Sequence, residues 1–151
     1  MAERPSPATI QKVVFDTDVL IWYLRGNDKA RRFMELVPYQ QRMLSSLTFM
    51  ELLQGCRNQE EARQVKAFIS ENISLVIHPD EIISRRAITL LEQHAFPHGL
   101  RVVDALIAAT TLETASSLAT ANVKHYRTTA RSPVSTSSSL NRSQKTGRAS
   151  T

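Results

Sequence analysis

The feature that most constrains this chain is a regular alternation of short β-branched, apolar runs with segments whose apolar residues recur at helical spacing. "KVVF" reads as a first strand, and "DKARRFMELV" follows with Ala30, Phe33, Met34 and Val37 on one helical face. "RMLSSLTF" begins as a second strand and gives way to "MELLQGCR". "EEARQVKAFISE" then places Ala62, Val65, Phe68 and Ile69 along one face, and "ISLVIHP" is the clearest strand, stopped by Pro79. "DEIISRRAITLLEQHA" is again amphipathic and leads into a loop, "FPHGL". "VVDALIAATTLETA" is apolar on nearly every side, as suits a buried helix, and "SSLATANV" closes with a short strand. Such alternation predicts an α/β fold with a parallel sheet covered by helices. Sheets of this kind bind ligands beyond the carboxyl ends of their strands.

The chain has 151 residues, enough for one domain with its own core. No apolar stretch reaches the roughly 18 to 20 residues of a membrane span, and "MAERPSPATIQK" has no secretory apolar segment, so a cytoplasmic protein is expected. Cys56 is the only cysteine and is expected to be a buried thiol. The formal charge of +5 is carried by Arg127, Arg131, Arg142, Lys145 and Arg148 in a tail without acids, leaving the rest neutral. Net charge is therefore weak evidence for nucleic-acid binding by the folded part. Arg31/Arg32 and Arg85/Arg86 remain as local basic pairs, and exposed pairs are usually solvated surface. From Arg127 the composition turns to Ser, Thr and Arg, too poor in large apolar residues to offset the entropy of ordering. The expected organisation is an N-terminal extension over 1–11, a domain over 12–126 and a disordered tail over 127–151.

The acids fall where such a fold would gather them. Asp16 ends the strand "VVF", Glu51 follows "MLSSL" and Asp104 precedes "ALIAATTLETA", while Asn122 follows "SLAT". Each also has a plain structural reading. Asp16 or Asp18 suits a helix cap, Thr48-x-x-Glu51 has the form of a capping box, Asp104 suits an N-cap and Asn122 a turn. Three carboxylates brought to one rim repel one another by about 4 kcal/mol per pair at a separation of about 4 Å and an effective dielectric near 20. A bound cation would remove that cost. With oxygen ligands alone, and no Cys or His at ligand spacing, a hard ion such as Mg²⁺ or Mn²⁺ is favoured over zinc.

"VVFDTDVLIWYLRG", "SSLTFMELLQG", "VVDALIAATTL" and "LATANVKHY" resemble, in order and spacing, the four motif regions of PIN-domain ribonucleases, most closely the VapC-type toxins of type II toxin-antitoxin pairs. The resemblance covers about residues 12 to 126. It implies a three-layer α/β/α sandwich around a central parallel sheet, with an acidic metal site at the strand ends. It carries the first acid to Asp16, the second to Glu51 and the third to Asp104, with Asn122 at a fourth position that holds Asp or Asn. Thr120 matches a small hydroxyl residue beside it, and Asp18 is a supporting residue or a cap. Implied further are Asp16 and Asp104 on one divalent ion, Glu51 as a ligand or a base acting through water, and hydrolysis of RNA phosphodiester bonds to a 5′-phosphate and a 3′-hydroxyl. The implied partners are an RNA substrate, tRNA or rRNA, a cognate antitoxin through which operator DNA is bound, and a second copy of the chain. No membrane is implied.

Several features have mainly structural readings. His78, His94, His98 and His125 are scattered and take surface or structural roles. Trp22 and Tyr23 pack in the core or against a partner, and with Phe33 and Met34 they resemble the toxins' antitoxin groove. Gly55 permits close helix approach or a break. Where family members continue into a last apolar edge strand, the tail here shows none, which would leave a sheet edge exposed. Two alternatives follow: a PIN-fold binding module impaired in catalysis, or a phosphatase of the haloacid dehalogenase type. "FDTDVL" resembles the latter's D-x-D motif, but with Leu at position 20 and no downstream acidic pair.

Overall fold

The computed structural model describes residues 11–121 and the backbone of 135–136. β1 (Val13–Phe15) is followed by α1 (Thr17–Leu24) and α2 (Asp28–Leu36), and a single 3₁₀ turn (Tyr39–Gln41) leads into β2 (Arg42–Ser45). α3 (Ser46–Gln54) and α4 (Gln59–Asn72) connect to β3 (Leu75–Ile77). α5 (Glu81–His98), α6 (Val102–Glu113), β4 (Ser117–Thr120) and β5 (Ser135–Thr136) complete the order. The sheet runs β3-β2-β1-β4-β5, and every pairing is parallel.

Both faces of this sheet are buried, which is why the central strands read as unbroken apolar runs. Successive side chains point to opposite faces. Val13 and Phe15 of β1, Leu44 of β2 and Ala119 of β4 join Val19, Leu20, Met34, Leu52, Val65 and Phe68 from α1 to α4. Val14, Met43 and Leu118 join Ile83, Ala87, Leu90, Ala105, Ile107 and Ala108 from α5 and α6. The three-layer sandwich is thus two apolar layers either side of one sheet. Phe15, Leu20, Leu44 and Ile107 are almost wholly buried, and each contributes about 1.5–3 kcal/mol by leaving water.

Local sequence explains where the helices begin. The side chains of Asn27, Asn58 and Asp80 accept hydrogen bonds from Ala30 N, Glu61 N and Ile83 N, so α2, α4 and α5 are each capped. α6 is the buried helix its composition predicts, and the Thr110 and Thr111 hydroxyls donate to the Leu106 and Ile107 carbonyls, which removes the cost of burying them.

Five expectations change. "FPHGL" is not all loop, because α5 runs through Phe96, Pro97 and His98. Proline holds a helical φ and forfeits one bond in the last turn, and Gly99, at φ +67°, ends the helix with its N–H on the Ala95 carbonyl. Thr48 and Glu51 form no capping box. Ser45 caps α3, its hydroxyl accepting from Leu47 N, so Thr48 and Glu51 lie inside the helix. Asp104 is not an N-cap; Arg101 holds that place and Asp104 sits in the first turn of α6. Cys56 is half-buried, its thiol donating to the Leu52 carbonyl. Finally, the edge beyond β4 carries β5, whose two residues pair with Ala119 and Thr120 where the sequence shows no strand. That pairing rests on backbone groups, which every sequence possesses and which leave no apolar pattern. The remainder of the 127–151 tail, and Asn122 and His125, lie outside the described residues.

Candidate active site

The carboxyl ends of the parallel strands form one rim, and Asp16 stands at its centre. Its N–H donates to the Ala119 carbonyl, which continues the β1–β4 ladder by one step and sets Asp16 beside Thr120. The same residue caps α1, with Oδ1 accepting from Thr17 N at 2.8 Å. Oδ2 accepts from the Thr120 hydroxyl at 2.8 Å. The capping reading therefore holds for Asp16. The cap bond and the threonine fix the carboxylate while leaving each oxygen a further lone pair.

Electrostatics mark this carboxylate as out of the ordinary. Asp16 is 7% exposed, and burial pushes its pKa from 3.8 up to about 6, against the lowering effect of the bonds from Thr120 and Thr17. The negative charges of Asp18 and Asp104 push it the same way, so the third acid shares the electrostatic field of the first across a separation of 88 positions in the sequence, 104 against 16. Asp18 is exposed on the first turn of α1. Glu51, on α3, joins the rim through Thr17, whose hydroxyl donates to Glu51 Oε1 at 3.2 Å. Sequence reasoning passed over Thr17, although its place between two aspartates at a strand end was visible. Asp16, Thr17, Glu51, Thr120 and the field of Asp104 are thus brought together.

The donor set is all oxygen, and a buried carboxylate that holds its proton too tightly beside other acids lacks positive charge. A hard divalent cation fits that need. Among the described residues, no group of three or more His, Cys, Asp or Glu side chains stands close enough to hold a metal ion. The fit therefore rests on Asp16 with Asp104, with Glu51 oriented from the side by Thr17.

Beside the rim, an open cleft of about 680 Å³ runs between α1, α3 and α4, with Ile21, Leu24, Arg25, Glu51, Cys56 and Arg57 among its lining residues. Gly55 also lines it and ends α3, so the break rather than a close approach is its role. Tyr23 and Phe33 pack inward: Tyr23 lies 5.0 Å from Phe68, Phe33 meets Phe15 edge-on at 5.9 Å, and Met34 is buried. Trp22 is half-buried. The basic pairs are largely engaged, with Arg31 over the Tyr23 ring, Arg85 on Glu81 and Arg86 on Glu113. His78 is exposed, and the rings of His94 and His98 meet one turn apart on α5.

A parallel sheet with this strand order and an acid-lined carboxyl rim defines a class, and the sequence names it: the chain belongs to the PIN domain family, matched over residues 13–130. "FDTDVL" is thus the first motif of a PIN domain and not that of a haloacid dehalogenase. Among solved structures, a toxin-antitoxin complex from Klebsiella pneumoniae is similar at 26% identity and a TM-score of 0.65, over 76% of this chain and 90% of that one. VapBC-1 from nontypeable Haemophilus influenzae is similar at 24% identity and a TM-score of 0.64, over 78% and 91%. VapBC2 from Rickettsia felis, bound to a DNA fragment from the promoter, is similar at 17% identity and a TM-score of 0.67, over 79% and 93%. The last two show the fold alone. Comparison with curated proteins gave no match. Among the described residues no helix is long and apolar enough to cross a membrane.

Proposed function

We propose that this PIN domain is a divalent-metal-dependent endoribonuclease acting in the cytoplasm as the toxin of a toxin-antitoxin pair. The observation that carries the reading is Asp16: a buried carboxylate at the centre of the strand-end rim, its proton affinity raised by burial and by Asp18 and Asp104. Selection for stability alone would not place an ionisable group there. Asp16, Asp104 and Glu51 are the residues that would hold Mg²⁺ or Mn²⁺. When bound, such an ion polarises a phosphodiester oxygen and lowers the pKa of the attacking water. The chain's own side chains do the positioning. Thr120 and the Thr17 N–H hold Asp16 in one orientation, and Glu51, held by the Thr17 hydroxyl, is the group that accepts a proton from water or adds an oxygen ligand. Asn122 and Thr120 complete the proposed catalytic set.

The partners follow from the same reading. The substrate is RNA, tRNA or rRNA, recognised through shape and unpaired bases. A cognate antitoxin covers the cleft that Glu51 lines, and operator DNA is bound through that antitoxin. The chain acts as a homodimer. The test is cleavage of RNA with Mg²⁺ or Mn²⁺, with chelator and Asp104→Asn as controls. Cleavage lost in both controls supports the enzyme, and cleavage that survives both refutes it.

A second reading is a PIN-fold binding module impaired in catalysis. The observation favouring it is that no three of the described acids stand close enough together to hold an ion. It predicts RNA or antitoxin binding with no cleavage under any divalent metal, which the same assay separates.

A further inference from the structure

We infer that Thr17 is a positioning residue for the proposed nuclease, a single residue that couples the strand-end carboxylate of Asp16, through its backbone, to the helix-borne carboxylate of Glu51, through its side chain. The inference rests on the nuclease reading above and deepens it. Thr17 donates twice, through its N–H to Asp16 Oδ1 at 2.8 Å and through its hydroxyl to Glu51 Oε1 at 3.2 Å. It is the first residue of α1 and is buried, whereas Glu51 is exposed on α3.

The contrast in exposure decides what the second bond is for. A solvent-facing carboxylate has water as an alternative donor, so the bond adds little to folding. What Glu51 lacks by itself is direction, because a long acidic side chain facing solvent samples several rotamers. Thr17 is β-branched and buried, which restricts χ1 and so the directions its hydroxyl can take. The flexible acid borrows that rigidity. Because the backbone of the same residue bonds Asp16, one residue gives direction to both carboxylates. Positioning acids through locked neighbours is how sites keep the sub-ångström tolerances that hydrolysis needs.

Thr17→Val keeps shape and branching and deletes only the hydroxyl; Thr17→Ser keeps the hydroxyl and deletes the methyl. Three measurements on the full chain test the role: steady-state RNA cleavage, binding of Mn²⁺ alone followed by electron paramagnetic resonance, and metal-free thermal unfolding. Thr17→Val should lose roughly 10- to 100-fold in kcat with KM little changed, and weaken Mn²⁺ binding by about 10-fold, the scale of lost supporting hydrogen bonds in metal sites. Its unfolding midpoint should stay within a few degrees of the wild type. Thr17→Ser should recover most of both losses, and Thr17→Val combined with Glu51→Gln should be no worse than Glu51→Gln alone. Wild-type values in Thr17→Val, an equal loss in Thr17→Ser, or losses that add in the double variant would overturn the positioning role while leaving the nuclease intact. A wild-type chain that neither binds Mn²⁺ nor cuts RNA would instead refute the nuclease reading, and this inference with it.

Discussion

Asp16→Asn should make the metal-free protein more stable while destroying the proposed nuclease activity. Asp16 is 7% exposed, and its pKa is raised from 3.8 to about 6, first by burial and then by Asp18 and Asp104. In the unfolded chain the same carboxyl is hydrated and ionises near 3.8. Below that pH both states hold the proton and there is no penalty. As pH rises from 3.8 through 6, the unfolded state gives up its proton first, so stability falls across that window and is lowest above it. Each pH unit of displacement is worth about 1.4 kcal/mol, so ionised Asp16 costs the fold roughly 3 kcal/mol at pH 7.5. Asparagine has nearly the same shape and cannot ionise, and the Thr120 hydroxyl can rotate to accept from its amide, so the bonds around it persist. Urea unfolding of the wild type and Asp16→Asn, with chelator present, should show a gap of about 3 kcal/mol at pH 7.5 that closes below pH 4. Added Mn²⁺ should stabilise the wild type and not the variant, since a ligand that binds only the folded state raises stability by mass action. An Asp16→Asn variant no more stable than the wild type at pH 7.5, or a gap that does not close in acid, would refute the account of Asp16 as a carboxylate strained by burial.

Thr120→Val removes the donor to Asp16 Oδ2; it should destabilise by about 1.5–3 kcal/mol above pH 6 and less in acid, because bonds to charged groups are the stronger ones. Urea titrations at pH 4.5 and 7.5 check the difference. Leu20→Ala deletes a fully buried side chain beneath α1 and should cost about 2–5 kcal/mol by the same assay. Ala115, between α6 and β4, holds a φ of +50°, a conformation that costs a residue with a Cβ about 1–2 kcal/mol. Ala115→Gly should therefore leave stability unchanged or raise it by up to about 1 kcal/mol, measured as a shift in thermal midpoint.

How far the sequence reaches is clearest at individual residues. The run Val13-Val14-Phe15 announced a strand buried on both faces, and it proved to be the one flanked by β2 and β4. Asp16 was legible as a cap and as a site residue because a strand end and a helix start are both local events. The end of α5 is not legible in the sequence, because Pro97 is a helix breaker in general and tolerable only in a last turn closed by Gly99. The Thr48-x-x-Glu51 spacing does not mark the start of α3, because it is also that of any helix interior, and only the bond from Leu47 N to Ser45 shows where the helix begins. β5 had no apolar signature to read, since its pairing is made by the backbone.

Apolar periodicity and the alternation of element types are properties of neighbouring residues, so the sequence alone determined the fold class, the parallel sheet and the rim on which a site would lie. It also singled out Asp16, Glu51 and Asp104 as the acids to watch. What only the tertiary structure decided is how those acids meet. The raised proton affinity of Asp16 depends on burial and on a charge far along the chain, and the tie of Glu51 to the rim depends on a threonine of another helix. Desolvation and Coulomb interactions are set by distance in space, and no spacing along a chain encodes that distance until the chain has folded.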